Sequence, residues 1–232
     1  MDVIKWWCKP LEPQTRVFAY PLTLLDDGEN QLILRRNCVF DGHDVLVDDV
    51  KDRLISRPPI VIYGRPGQQN RDVGFFSDEV KSYNYSGQQM SSQPLGPQLQ
   101  QLLSYVNFNS GSSFNAVLVN RYNSGSDYIG AHSDNEHLDP QSGVVCLSIG
   151  ARRTFRIRDK VTKQILVDVD LPSGSVVAMI GPSFQSRYTH EIPVQKKVTG
   201  VRYSFTLRCH KTEEVKKRKR EEKEEPRWYV FQ

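Results

Sequence analysis

The sequence has no CxxC spacing among its four cysteines, no internal repeat and no apolar run long enough to cross a membrane. Cys8, Cys38, Cys146 and Cys209 are scattered, which argues against a zinc knuckle or a dithiol redox pair and leaves reduced thiols as the expectation. The longest apolar runs, such as Ser175 to Ile180, reach strand length only. The opening residues, Met1 to Trp7, lack an apolar stretch ending in a small-residue cleavage site. Neither secretion nor membrane insertion is expected, so the chain reads as intracellular, nuclear or cytoplasmic. A strong excess of one charge is also lacking, because the formal net charge is only +4. That balance conceals basic clusters at Arg152-Arg153, Arg156, Arg158, Lys160 and Lys196-Lys197, which permit a polyanionic partner without requiring one.

What is present suffices for one full-sized core, since 232 residues with 38% hydrophobic content are too few for two enzymatic domains of ordinary size. The expected organisation is an N-terminal extension over 1–30, a single domain over 31–210 and a charged tail over 211–232, in a monomer. The tail alternates basic and acidic blocks, including Lys216 to Arg220, which reads either as a solvated run or as a nuclear import signal.

From about Gln31 the chain turns regular. Leu32 to Leu34 suits a strand, and Asp44 then caps a segment with Leu46, Val47, Val50 and Leu54 on one helical face. The stretch from Tyr63 to Pro97 is rich in Gly, Ser, Gln, Asn and Pro and reads as loops carrying Phe75, Phe76, Tyr83 and Tyr85. Pro97 opens a helix whose Leu99, Leu102, Leu103 and Val106 form an amphipathic stripe. Beyond Asn115 come short β-type runs: 116–122, 144–149, 154–158, 165–171, 175–180 and 201–207. Helices early and many short strands late predict a mainly β chain with flanking helices, a double-stranded β-helix (jelly roll) whose helices support one outer face.

The chemistry is carried by spaced pairs. A mononuclear iron(II) oxygenase needs two imidazoles and one carboxylate on one face of the metal, and His132, Asp134 and His190 supply that set. If Gly130 to Asp134 runs as a strand or strand end, positions i and i+2 converge on one point, and His190 must arrive from another strand. The HxD pattern is weak alone, and His137-Leu-Asp139 is a second instance. The first is preferred, because it follows an apolar-alternating run whereas Asp139 precedes Pro140 in a turn. Twelve residues after His190 begins Arg202-Tyr-Ser-Phe-Thr-Leu-Arg208. In a strand, Arg202, Ser204, Thr206 and Arg208 share one polar face suited to a dicarboxylate, while Tyr203, Phe205 and Leu207 pack on the other. Asn120 and Tyr122, again at i and i+2, can donate hydrogen bonds into the same cavity.

Asn120-x-Tyr122, His132-x-Asp134, His190 and Arg202 with Arg208 together resemble the AlkB family of iron(II)- and 2-oxoglutarate-dependent dioxygenases, in that family's order and approximate spacing, from about Pro58 to Arg208. Pro193 to Val198 and Tyr83-x-Tyr85-Ser-Gly87 are most similar to its eukaryotic nucleic-acid repair branch. The resemblance implies His132, Asp134 and His190 as iron ligands, and Asn120, Tyr122, Arg202, Thr206 and Arg208 around 2-oxoglutarate, with Arg202 on the distal carboxylate. It also implies that Tyr85 and His132 sandwich a flipped base, with Tyr83 and Glu136 near its edge and Asn135 bordering the pocket. The reaction implied is oxidative dealkylation of N-alkylated bases such as N1-methyladenine and N3-methylcytosine, in DNA more than RNA, with release of succinate, carbon dioxide and formaldehyde.

Two departures stand out: Ser204 replaces a common Asn, and Gly67 to Ser82 is longer than the corresponding repair-branch loop. Phe75-Phe76 in that stretch reads either as a wedge filling the gap left by a flipped base or as a closure of the loop onto the domain. Arg156 and Arg158 share one face, either tracking phosphates or simply solvated. Two other functions compete with base dealkylation. One is an oxygenase of a protein or small molecule sharing the same iron site, and the other is a non-catalytic binding protein on the same jelly roll.

Overall fold

A computed structural model describes residues 21–36, 38, 43–62, 64–85, 88–134, 138–139 and 142–211, with the side chains of Ile62, Tyr85 and Gln88 outside that description. The elements run β1 (Leu22–Asp26), β2 (Gln31–Arg35), α1 (His43–Val50), β3 (Pro59–Ile62), β4 (Arg65–Gln68), β5 (Asp72–Phe76), β6 (Ser82–Tyr85), β7 (Gln88–Ser91) and α2 (Pro97–Ser110) in the first half. The second half continues with β8 (Ala116–Tyr122), β9 (Ile129–His132), β10 (Val144–Gly150), β11 (Arg153–Asp159), β12 (Ile165–Leu171), β13 (Ser175–Ile180), α3 (Phe184–Arg187), β14 (Tyr188–Ile192) and β15 (Arg202–Arg208). A seven-stranded sheet, ordered β1-β2-β13-β10-β15-β8-β5, faces a four-stranded sheet ordered β12-β11-β14-β9. The expected two-sheet β architecture with flanking helices is the one observed. Among the described residues no helix is long and apolar enough to cross a membrane.

Alternation explains the layering. In β2, β10, β13 and β15 nearly every residue is buried, because both faces of the large sheet are covered. One set, including Ile33, Val145, Leu147, Ala178, Phe205 and Leu207, packs against Leu46, Val50, Leu99 and Leu102 of the two helices. The other set, including Leu32, Leu34, Val144, Val177 and Met179, packs against Phe155, Ile157 and Ile192 of the small sheet. The cavity that carries the chemistry opens between the sheets.

Local devices fix the helical layer. α2 takes Pro97 at its first turn and ends on Gly111 at φ 62°, the left-handed conformation that glycine adopts without penalty. Its free amides at Gln98 and Leu99 donate 3.1 and 3.2 Å hydrogen bonds to Asp49 of α1, a cap supplied by the neighbouring helix. Asp49 lies so close that a Cβ at position 96 would fall 1.8 Å from its carboxylate, so a side chain there would have to displace Asp49 from its capping position.

Several expectations need correction. α1 begins at His43, so Asp44 sits inside its first turn, and the helix ends at Val50 before Leu54. The 63–97 stretch is not simply loops: β3 and β4 form one hairpin, β6 and β7 another, and β5 joins the large sheet beside β8. β1, within the stretch read as an extension, pairs with β2 at the edge of the same sheet. Arg156 and Arg158 do not present bare charge: Arg156 pairs with Asp168 at 2.7 Å and Glu191 at 3.3 Å, and Arg158 with Glu191 at 2.9 Å. The tail from position 212 onward, with Lys216 to Arg220, lies outside the described residues, as does Cys8, while Cys38, Cys146 and Cys209 form no disulfide with one another.

The wedge reading of Phe75 and Phe76 fails, because both rings are 0% exposed. β5 alternates them to opposite faces: Phe76 enters the helical layer, and Phe75 stacks on Tyr83 with ring centroids 5.2 Å apart. Phe76→Ala is therefore expected to cost about 3–5 kcal/mol of stability, read as a lowered urea midpoint in equilibrium unfolding. A midpoint within error of the parent would contradict this burial.

Acid sensitivity has an identifiable source in Asp72, which is 1% exposed. Burial pushes its carboxyl upward, but hydrogen bonds from Asn123 and Arg121, the charge of Arg121 and the Arg57 amide outweigh it, leaving the pKa below the ordinary 3.8. The stabilisation is thus fully present above the unfolded value and is lost as pH falls through the lower, folded one. Thermal melts should show a falling midpoint below about pH 4. That fall should be shallower in Asp72→Asn, which starts from a lower midpoint at neutral pH, and equal slopes in both proteins would reject the assignment.

Candidate active site

β9 and β14 lie side by side with His132 directly opposite His190 in the ladder. Asp134 falls two residues past the end of β9, on a turn held from both sides. The Ser133 hydroxyl donates to the Tyr188 carbonyl at 2.8 Å, and the Asp134 amide donates to the Gln185 side chain of α3 at 2.8 Å. The strand-end geometry expected for Gly130 to Asp134 is thereby achieved by a pinned turn rather than by a continuous strand.

The three side chains meet. One ligand-type atom from each lies within 4.8 Å of the others, and among the described residues this is the cluster able to hold a metal ion. His132 donates from Nδ1 to the Gly130 carbonyl at 2.9 Å, which leaves the Nε2 lone pair facing Asp134 at 3.9 Å. His190 Nε2 is 3.6 Å from Asp134 Oδ2, and its ring stacks on Phe155 at 5.7 Å. Burial first, then the neighbouring His190, holds His132 down to about 3, and burial lowers His190 as well. For Asp134 burial acts upward, but the charges of Arg208, His190 and His132 prevail and keep it below the usual carboxylate range. At neutral pH all three are in the deprotonated form a metal requires.

Orphaned atoms show that the site is built for more than protein contacts. Asp134 Oδ1 accepts from Arg208 at 2.5 Å, whereas buried Oδ2 has no hydrogen-bond partner. Such an atom is costly unless a ligand completes it. Two imidazoles and one carboxylate suit iron(II) with open positions. Arg202, 1% exposed, donates one bond, from Nη2 to the Ser148 hydroxyl at 2.8 Å, and its Nε and Nη1 lack partners. Among the described residues no carboxylate neutralises it, so an anion is the natural complement of this buried guanidinium, and a dicarboxylate such as 2-oxoglutarate fits.

The expected cosubstrate residues converge on this cavity: Asn120, Tyr122, Arg202, Thr206 and Arg208 line it together with the three metal-site residues and Tyr83. β8 pairs with β15 so that Asn120 opposes Ser204 and Tyr122 opposes Arg202, which turns these polar positions onto one face. Arg202 lies over one aromatic face of Tyr122 at 5.3 Å, and burial raises the Tyr122 pKa, so its hydroxyl remains protonated and able to donate. Tyr83 is buried with the Arg208 guanidinium 5.0 Å from its ring centre. Asn135, Glu136 and His137 lie outside the described residues, as does the Tyr85 side chain.

Sequence reasoning missed Arg71, Ser148 and Gln185. Arg71 is 4% exposed and donates to Asn120 Oδ1 at 2.7 Å, yet nothing marks it within a polar stretch. Ser148 did carry a signal, a lone hydroxyl within the apolar run of β10. Arg153 is likewise buried, donating to the Ser124, Asp127 and Pro193 carbonyls and to Gln195 Oε1, which fixes the loop bearing Lys196 and Lys197.

Comparison with known proteins agrees with this geometry. The chain is 32% identical to the DNA oxidative demethylase ALKBH2 of Homo sapiens over 157 residues, 64% of this chain and 60% of that protein. It is 31% identical to the human alpha-ketoglutarate-dependent dioxygenase alkB homolog 3 over 139 residues, 54% of this chain and 47% of that one. The matches thus span less than two thirds of either relative. A solved structure described as that of OsALKBH1 superposes with a TM-score of 0.51 at 19% identity, covering 76% of this chain and 97% of that one, a likeness of fold. Residues 57–208, which contain the metal cluster and the arginine strand, match the model of the 2OG-Fe(II) oxygenase superfamily, and the chain belongs to that family.

Proposed function

We propose that this protein oxidatively dealkylates N-alkylated nucleic-acid bases, in DNA in preference to RNA, as an intracellular monomer, nuclear or cytoplasmic. The observation that carries the reading is a His132-Asp134-His190 cluster, with Asp134 and His190 buried, beside an Arg202 guanidinium that has no carboxylate partner among the described residues. The similarity to proteins named DNA oxidative demethylase and alkB homolog 3 supports the substrate class.

In this reading His132, Asp134 and His190 hold iron(II), Arg202 takes the distal carboxylate of 2-oxoglutarate, and Asn120, Tyr122, Thr206 and Arg208 orient the rest. When bound, iron(II) and 2-oxoglutarate would activate oxygen, the oxidant of the reaction, and 2-oxoglutarate and oxygen would be consumed as an N-methyl carbon is hydroxylated and lost as formaldehyde, with succinate and carbon dioxide released. The chain's task is placement and exclusion of water. Arg208 fixes one Asp134 oxygen so that the other faces the cluster, and Phe155 and the Gly130 carbonyl orient the two imidazoles. Tyr83, Tyr85, Asn135 and Glu136 are assigned to the base, with Tyr85 and His132 stacking on it. An alkylated cationic base pairs poorly and is extruded at low cost, and Glu136 suits its charge.

The test is direct. Anaerobically purified protein is given iron(II), ascorbate and 2-oxoglutarate, and methyl loss from N1-methyladenine and N3-methylcytosine is followed by mass spectrometry in single- and double-stranded DNA and RNA. Metal-dependent methyl loss, fastest in DNA, is expected. Succinate without methyl loss would keep the oxygenase and discard the base substrate, and absence of both products would discard the reaction.

A further inference from the structure

A second cavity of about 390 Å³ adjoins the metal cavity and shares Arg71, Tyr83 and Leu118 with it. It lies between β5 and the β6–β7 hairpin, under the start of β3, and of its lining residues the assignments above use only Tyr83. Its volume falls among small-molecule sites, typically about 300–1,000 Å³. Its character differs from that of the cosubstrate pocket. Val73, Leu118 and Met90 give an apolar floor, while Gln89, Gln93 and Ser91 line its polar part. Arg71 is the one charged side chain among its described lining residues.

One wall residue is incomplete. Gln69 is 6% exposed and lines this cavity, and its side-chain oxygen is buried without a hydrogen-bond partner. A buried amide oxygen left unmet is destabilising, so a ligand carrying an N–H is the natural complement. Apolar contact beside amide edges, with a single guanidinium, suits an uncharged heterocycle and not an alkylated cation.

We infer that this cavity receives an unmodified nucleobase, the immediate strand neighbour of the base presented to the metal. The inference rests on the nucleic-acid reading of the main site and adds a subsite to it. Sharing the Tyr83–Arg71 wall places two consecutive bases on either side of one buried partition, so the neighbour's binding helps to hold the target in place.

Cross-linking tests it. Short single-stranded oligonucleotides carrying N1-methyladenine with 4-thiothymine immediately on its 5′ or its 3′ side are irradiated with the iron-loaded full chain and 2-oxoglutarate under anaerobic conditions. Adducts are mapped by mass spectrometry, and dealkylation of the same oligonucleotides is measured in air. From one of the two sides the label should fall on Tyr83, Met90 or the Gln89–Gln93 segment. Gln69→Leu should lower that yield about five-fold, the effect of one hydrogen bond of about 1 kcal/mol. Met90→Trp, which fills the cavity, serves if the first variant does not fold, and should lower labelling at Tyr83 and Gln93. Dealkylation with labels elsewhere from both sides overturns this inference alone, as does equal labelling by free 4-thiothymidine. Cavity labelling without dealkylation upholds the subsite and overturns the proposed reaction, and neither signal overturns both.

Discussion

Asp134→Ala should abolish methyl loss and succinate formation together, with iron(II) no longer retained through gel filtration. Asp134 is the sole carboxylate in the cluster, and its Oδ2 is the buried acceptor that a metal would complete. Without it two imidazoles remain, too few for the two-histidine, one-carboxylate face that iron(II) oxygenases use. The same change strips Arg208 of its 2.5 Å partner at a site where both side chains are nearly inaccessible, 4% and 1% exposed. Breaking a buried ion pair from one side typically costs about 3–5 kcal/mol, so a lowered melting temperature is expected as well. Asp134→Asn separates the effects: it keeps the shape and one oxygen, and should fold better than the alanine variant while still failing to hold iron at parent occupancy. Stoichiometric iron with normal succinate production in either variant would remove Asp134 from the ligand set.

Arg202→Met is expected to raise the KM for 2-oxoglutarate by about 30- to 5,000-fold, as truncating one side of a buried charge pair usually costs about 2–5 kcal/mol. The unliganded protein should respond in the opposite direction. Arg202 is buried with two donors unmet, so replacing it with an apolar chain of similar length removes a desolvation cost and should hold or raise the melting temperature. Thermal shift with and without 2-oxoglutarate reads both effects in one experiment. A purely structural arginine would give the reverse, a less stable apoprotein with the ligand-induced shift intact. The expected pattern is a stable apoprotein that 2-oxoglutarate no longer stabilises.

These expectations were partly legible in the sequence because strand periodicity projects directly into space. The alternation in Arg202 to Arg208 put its polar side chains on one face and Phe205 and Leu207 on the other, and the strand does so. The same reasoning joined Asn120 to Tyr122, and His132 to Asp134. The stripe of Leu99, Leu102, Leu103 and Val106 was equally plain, and all four are buried in α2. The polar stretch from Tyr63 to Pro97 was opaque. Its two hairpins and β5 are held by strand pairing and burial, which leave little periodic trace in so many Gly, Gln and Ser residues. Phe75 and Phe76 looked like loop aromatics for the same reason.

By itself the sequence determined the class of fold, the identity of the candidate ligands and which strand carries the arginines, since these follow from residue type and a two-residue repeat within single segments. Only the tertiary structure decided what opposes what. Ladder register set His190 against His132, Gln185 and Tyr188 pinned the turn that turns Asp134 inward, and Glu191 with Asp168 neutralised Arg156 and Arg158. Whether a charge is compensated or left waiting depends on partners dozens of residues away. That is why Arg202 and Arg156, both arginines on β-strands, end as a buried cation without a carboxylate among the described residues and a paired surface residue.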